Sequence, residues 1–263
     1  QARERGLVLL SNPDMLHYGL LPRHPDWAPF LARLRYVVLD ELHAYRGVFG
    51  THVALILRRL LRLARHYGAS PQVLAASATI ANAREHAEAL TGLPFEELKA
   101  QVARTERELL VLLPKPLDRR GERRRSPLLE AAYLARRLAE AGLKGLVFAG
   151  ARKSAELIAR YAAHPLVRPY RAGYTARERR RLEADLKEGR VRVLVSTSAL
   201  ELGVDIGELD AVVLVGYPGS TAAFWQRAGR AGRGERRALL VYIPREDPMD
   251  EYFLHRPALL LES

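Results

Sequence analysis

The sequence predicts an α/β protein in which a parallel sheet flanked by helices occurs twice. Three observations carry this. Short apolar runs alternate with amphipathic stretches of helical period along the 263 residues. The runs stop at acids, hydroxyls or glycines, which places polar groups at strand ends, where open α/β sheets bind ligands. The texture breaks near 114–127, and the same alternation resumes beyond it.

The elements follow in order. LVLLS (7–11) is expected to be a strand. RYVVLDE (35–41) is expected to be a buried strand ending at two carboxylates. Residues 50–67 place Val53, Leu57, Leu60, Leu61 and Ala64 at helical spacing, so one apolar stripe faces a core. QVLAASAT (72–79) is a strand ending in small hydroxyl residues, and 82–90 is a short helix. Residues 114–127 (PKPLDRRGERRRSP) hold three prolines, a glycine and a dense charge run, the composition of a mobile basic linker. The second series has helices over 128–141, 152–162 and 175–188. Its strands are GLVFAG (145–150), a short one over 167–171, RVLVST (192–197), AVVLVG (211–216) and ALLVYI (238–243). The expected division is 1–104 and 105–263.

Composition narrows the function classes. The net charge of +12 suits a polyanionic partner, although only five of the 42 basic residues are Lys, a bias that an arginine-rich proteome also produces. The chain has no cysteine, which excludes disulfides and thiolate metal sites and fits a reducing, cytoplasmic location. No apolar run is long enough to span a bilayer, so no membrane partner is expected. The eight histidines have no metal-ligand spacing; apart from His43 they read as surface or packing residues. Trp27 and Trp225 could stack on bases, although Trp225, beside Gln226, reads better as packing between domains.

Four constellations carry chemistry. Asp40-Glu41-Leu42-His43 follows a buried strand. Adjacent carboxylates there can divide labour, one holding Mg²⁺ and the other taking a proton from the attacking water, and the same pair also suits a polar turn. Ser77-Ala78-Thr79 ends a strand and is weak alone. In Gln226–Gly234, Arg227, Arg230 and Arg233 recur every third residue, which suits charge stabilisation on a transferring phosphoryl group or a backbone clamp on nucleic acid. Thr197–Ile206 ends a strand and opens toward a helix, a place for phosphate contacts, with Asp205 placed to accept from a ribose hydroxyl.

In this order and spacing the motifs resemble those of the superfamily 2 DExH-box helicases. DELH resembles motif II, SAT motif III, TSALELGVD motif V and QRAGRAGR motif VI, with SNPDMLH (11–17) like motif Ib and FAGARKSAE (148–156) like motif IV. The flanking text SNPDMLHYGLLP, DELHAYRGVFGTHVA and GYPGSTAAFWQRAGRAGR resembles the MrfA-type DNA repair helicases and their fungal RecQ-like relatives. The resemblance implies two RecA-like domains in tandem, ATP and Mg²⁺ as cofactors, and single-stranded DNA, or DNA with a single-stranded tail, as partner. It implies that Asp40 holds the Mg²⁺ shell, Glu41 is the base, and Arg230 and Arg233 are arginine fingers. His43 and Gln226 couple the domains, Gly203 and Asp205 approach the nucleotide, and Ser77 and Thr79 link hydrolysis to movement. Ser11, Asn12, Arg152, Arg171, Gly173 and Thr197 lie along the nucleic-acid backbone.

Two departures qualify this reading. The 263 residues contain no Gly-Lys-Thr or Gly-Lys-Ser phosphate loop, which such a motor needs. Gly150-Ala151-Arg152-Lys153-Ser154 comes nearest, but Arg152 stands where the last glycine would lie against the phosphates. The abrupt start QARERG is therefore read as a cut inside a longer protein, with the first domain truncated at its N-terminus and the family's cysteine-rich C-terminal region also missing. The second departure is in motif IV, where Gly150 and Ala151 replace an expected basic and hydroxyl pair. The expected function is an ATP-dependent DNA helicase or translocase moving 3′ to 5′. The alternatives are a nucleic-acid-binding module without ATPase activity and a motor for RNA or nucleoprotein remodelling.

Overall fold

The computed structural model describes residues 8–77, 82–98, 107–118, 124–197, 200, 206–232 and 237–261. The chain divides into two compact units, Gln1–Gln101 and Val102–Ser263.

In the first unit, β1 (Tyr36–Leu39) pairs in parallel with β2 (Gln72–Ala75), joined through helix α1 (Gly47–His66). The stripe expected on α1 is the face it buries: Val53, Leu57, Leu60, Leu61 and Ala64 are all buried. Val53 and Leu57 pack with Leu39 and Leu42 and with Ala87 and Leu90 of α2 (Ala83–Thr91). Among the described residues, the sheet is covered on one face only. Val37 packs inward, while Tyr36 and Val38 are 58% and 65% exposed.

The expected strand over 7–11 is not formed by the described residues 8–11. Asn12 stops extended backbone there, because its side-chain carbonyl accepts from Met15 N–H at 2.8 Å and so opens the helical segment Met15–Leu20.

The second unit holds a six-stranded parallel sheet in the order β3-β8-β7-β4-β6-β5. The strands are β3 (Arg107–Val111), β4 (Gly145–Phe148), β5 (Val167–Pro169), β6 (Val193–Ser196), β7 (Ala211–Val215) and β8 (Ala238–Ile243). Helices α3 (Pro127–Glu140), α4 (Arg152–Ala162), α5 (Ala176–Lys187), α6 (Thr221–Ala228) and α7 (Pro248–His255) connect or follow them. The four central strands are buried on both faces, which is why they read as unbroken apolar runs rather than alternating ones. Leu146, Phe148, Leu194, Val212, Leu214 and Tyr242 build one core, and Val147, Val193, Val195, Val213 and Val241 build the other. Side-chain caps fix the helix starts. Ser126 accepts from Leu128 N–H, Ser220 from Ala223 N–H, and Thr175 and Glu178 form a reciprocal capping box.

The described ends of the basic segment make contacts of their own. Residues 114–118 and 124–127 lie inside the second unit, after β3, which pairs along its length with β8. The ends of this segment close on each other. Pro116 and Arg124 form an antiparallel bridge, Arg125 N–H donates to the Lys115 carbonyl, and the Arg124 guanidinium donates to the Pro114 carbonyl. Pro127, taken as a linker proline, begins α3, where its fixed φ suits the first helical position.

Candidate nucleotide and nucleic-acid site

In the first unit, the carboxyl edge of the β1–β2 sheet gathers Asp40, Glu41, His43 and Ser77. The β1–β2 ladder continues past the strands: Ala76 N–H donates to the Leu39 carbonyl, and Leu42 N–H donates to the Ala76 carbonyl. These bonds hold the DELH turn against the segment that leads to Ser77, which is exposed. Glu41 takes a left-handed conformation, φ 51° and ψ 46°, which costs about 1–2 kcal/mol for a residue with a Cβ. Its N–H donates to Asp40 Oδ1 at 2.9 Å, and its carboxylate lies 3.5 Å from His43 Nδ1. Asp40 is exposed, while the His43 side chain is only 10% exposed.

Two contributors here were not read from the sequence. Tyr45 follows the DELH turn, and its phenol is pushed above the ordinary tyrosine range by burial and by the charges of Asp40 and Glu41. His86, on α2, places Nε2 3.2 Å from the Leu42 carbonyl, tying the helix after SAT to the DELH turn. His24 pairs with the Tyr67 hydroxyl at 2.7 Å, and His164 Nδ1 accepts from Leu166 N–H, so these are packing histidines.

In the second unit, the chain crosses from β6 to β7 over β4, so the sheet has its topological switch at β4. Ligand crevices form outside the carboxyl ends of strands at such points. Arg152, Arg171, Gly173 and Thr197 all come to this edge. Ala149 N–H donates to the Ser196 carbonyl and Tyr170 N–H to the Val195 carbonyl, which sets the three strand ends side by side. Arg152 opens α4 and is exposed, and Gly173 lies in an exposed turn. Arg171 is held by Glu156 at 3.0 Å and lies 5.1 Å over the Tyr174 ring. In the first unit, Ser11 and Asn12 are exposed, with the Asn12 side chain engaged as the cap described above.

Gln226 lies in α6, and Arg230 follows its last turn, 7% exposed. The segment then turns back to the sheet: Arg107 Nε donates to the Ala231 carbonyl and Gly232 N–H to the Leu209 carbonyl. The Arg227 guanidinium lies 5.5 Å over the Phe148 ring, joining α6 to β4. Trp225 packs within this unit, its indole N–H donating to the Leu260 carbonyl at 2.6 Å and its ring meeting Phe224 edge-on. Its N–H is thereby committed within the second unit. Trp27 packs against Phe30 and the Leu20–Leu60 cluster. Thr79, Gly203, Asp205 and Arg233 lie outside the described residues.

A group that the sequence did not flag stands beside this edge. Asp250, on α7, is fully buried. Its Oδ1 accepts from Tyr217 N–H at 2.7 Å and from the Tyr242 hydroxyl, and its Oδ2 lies 3.7 Å from Arg245 Nε. Burial and the hydrogen bond to Asp250 push the Tyr242 phenol far above its ordinary range. Among the described residues, no group of three or more His, Cys, Asp or Glu could hold a metal, and no helix is long and apolar enough to cross a membrane. A Mg²⁺ held through one carboxylate, nucleotide phosphates and water needs no such cluster, and exposed Asp40 fits that use.

Comparison with known proteins identifies the family. Residues 3–88 match the DEAD/DEAH box helicase family and residues 128–235 the helicase conserved C-terminal domain. The chain is 41% identical over 266 residues to the uncharacterized ATP-dependent helicase YprA of Bacillus subtilis, a match covering 98% of this chain and 36% of that protein. It is 35% identical over 275 residues to ATP-dependent helicase HRQ1 of Saccharomyces cerevisiae, covering 99% of this chain and 26% of that protein. The crystal structure of the DUF1998 helicase MrfA bound to DNA and AMPPNP superposes with a TM-score of 0.90 at 40% identity, over 100% of this chain and 38% of that one. The chain therefore spans roughly a third of the length of the relatives it matches. The neighbours give its two units the tandem RecA-like architecture. The chain belongs to the superfamily 2 DEAD/DEAH-box helicases, in the group that includes MrfA and HRQ1.

Proposed function

We propose that this chain supplies most of an ATP-driven motor that moves along single-stranded DNA, 3′ to 5′, in a repair context in the cytoplasm. One observation carries the reading: Asp40, Glu41, His43 and Ser77 lie at the carboxyl edge of the first unit's parallel strands, and Arg152, Arg171, Gly173 and Thr197 lie at that of the second, where RecA-like sheets work on nucleotide and nucleic acid. Asp40 holds Mg²⁺ on the ATP phosphates, and Glu41 takes the proton from the attacking water. Arg230 and Arg233 stabilise the charge that develops on the transferring phosphoryl group, and Gly203 and Asp205 border the nucleotide. His43 and Gln226 sense the nucleotide, and Ser77 and Thr79 pass its state to the rest of the motor. Ser11, Asn12, Arg152, Arg171, Gly173 and Thr197 grip the DNA backbone, and the functional division falls near 104/105. The phosphate loop that completes the ATP site is not among the 263 residues, so they should bind nucleic acid without appreciable ATP turnover.

The test is a titration of the chain with fluorescent single-stranded DNA across a salt series. Each phosphate contact contributes about 0.7 to the slope of log affinity against log salt, so about four to six contacts give a slope near −3 to −4. Absence of binding at low salt, or a flat salt dependence, rules out the nucleic-acid track.

A further inference from the structure

Gly216 ends β7 at φ +81°, and a Cβ placed there would meet Arg245 Nε at 2.2 Å. The chain needs glycine here for two reasons, the left-handed backbone and the guanidinium lying against it. The same guanidinium reaches Gly150, where a Cβ would meet its Nη1 at 3.1 Å. Arg245 thus lies across two strand ends. Gly150 precedes Arg152 at the start of the motif IV helix, and Gly216-Tyr217 leads through Ser220 into α6, which carries Gln226.

Asp250 anchors this arrangement. A wholly buried carboxylate is costly unless it is paired, and this one has three partners. The Tyr217 N–H ties it to the β7–α6 loop, the Tyr242 hydroxyl to β8, and Arg245 to Gly150. The loop beside the nucleic-acid residues and the loop entering the nucleotide helix therefore share one charged pair. A displacement of either loop changes the space in which Arg245 packs, and Arg245 lies 3.7 Å from a buried charge that also holds the other loop.

We propose that Asp250 and Arg245 are positioning residues that couple the DNA-gripping loop at Gly150 to the motif VI helix α6. This rests on the motor reading above. It extends that reading to residues that touch neither DNA nor nucleotide, through a contiguous physical link of the kind coupling requires.

The test is amide hydrogen exchange on the 263-residue chain, with and without single-stranded DNA, for the wild type, Arg245→Ala and Gly150→Ala. Thermal melting serves as the control for global stability. Without DNA, Arg245→Ala should speed exchange about tenfold or more both at Tyr217 and over 149–155, because it loosens both loops at once. Gly150→Ala presses only on the guanidinium tip, yet it should speed exchange at Tyr217, 67 positions away in sequence. With DNA, wild type should gain protection over 216–228, and Arg245→Ala should lose that gain while still binding DNA. A purely structural role would not move this last readout. Loosening confined to the mutated loop, or DNA-induced protection of α6 that survives Arg245→Ala, overturns the proposal. Failure of wild type to bind DNA sinks the motor reading instead, and the DNA-free arm still decides whether the two loops are linked.

Discussion

Gly50 offers a sharp test of how the DELH turn is held. It sits in the first turn of α1, where glycine normally weakens a helix. In an ordinary helix position, Gly50→Ala would stabilise by about 1 kcal/mol. Here a Cβ would meet the Tyr45 carbonyl oxygen at 2.3 Å and its carbon at 2.7 Å. Both are backbone atoms at the end of the DELHAY segment, so relief requires moving that segment by about 1 Å. Overpacking of this kind costs about 1–3 kcal/mol. Set against the propensity gain, the net change is a loss of up to about 2 kcal/mol. For a unit of about 100 residues, a loss of about 2 kcal/mol lowers the melting temperature by about 8–16 °C. Thermal and urea melts of the chain measure it. A second readout is the Tyr45 phenol, which burial and the charges of Asp40 and Glu41 hold above its ordinary pKa. A displaced turn should let it titrate at lower pH. A variant more stable than wild type by about 1 kcal/mol, with Tyr45 unchanged, would show that α1 does not bear on the turn and would refute the argument.

Three further outcomes are expected. In a protein that joins this chain to a Gly-Lys-Thr phosphate loop, Glu41→Gln should cut ATP turnover by about 10²–10⁴-fold with nucleotide and DNA affinity kept, as steady-state kinetics and binding titrations would show. Loss of nucleotide binding would make Glu41 structural instead. Tyr242 should make stability fall at alkaline pH. Its folded-state pKa is raised, so its contribution is whole below the unfolded value near 10 and is lost as pH rises above it. Tyr242→Phe should flatten that loss between about pH 10 and 12 in urea melts, while costing about 1–3 kcal/mol at neutral pH through the missing bond to Asp250. Thr175→Ala removes one side of the α5 capping box and should cost about 1 kcal/mol by the same melts. Glu178, whose carboxyl the Thr175 backbone and hydroxyl hold below its ordinary range, should then titrate closer to the usual glutamate value by NMR.

Legibility tracked how local each signal was. The α1 stripe was readable because helical period is a property of neighbouring residues, and each position it named is buried. The central strands were readable because burial on both faces forces runs such as AVVLV. β3 was not, because Arg107 and Glu108 give an edge strand a polar start, and only its pairing with β8 makes it a strand. The basic segment looked like a linker because its prolines and charges are linker composition, while the bridge between Pro116 and Arg124 joins residues eight apart across the charge run. Asp40, Glu41 and His43 could be named from motif order alone. Asp250 could not, since DPMDEYF reads as a capped surface helix, and its burial comes from Tyr217, Tyr242 and Arg245 folding around it.

Among the described residues, Glu41 and Ala163 are the two non-glycine positions with positive φ. At Glu41 the backbone that aims the carboxylate opposes the residue type that supplies it. Glycine would relieve the strain and asparagine would tolerate it, and neither can take a proton from water as the carboxylate can. Laboratory evolution that rewards heat survival alone should therefore drift at position 41 toward sturdier, inert variants. On the role proposed for Glu41, the reaction keeps a glutamate at this position against the preference of the fold.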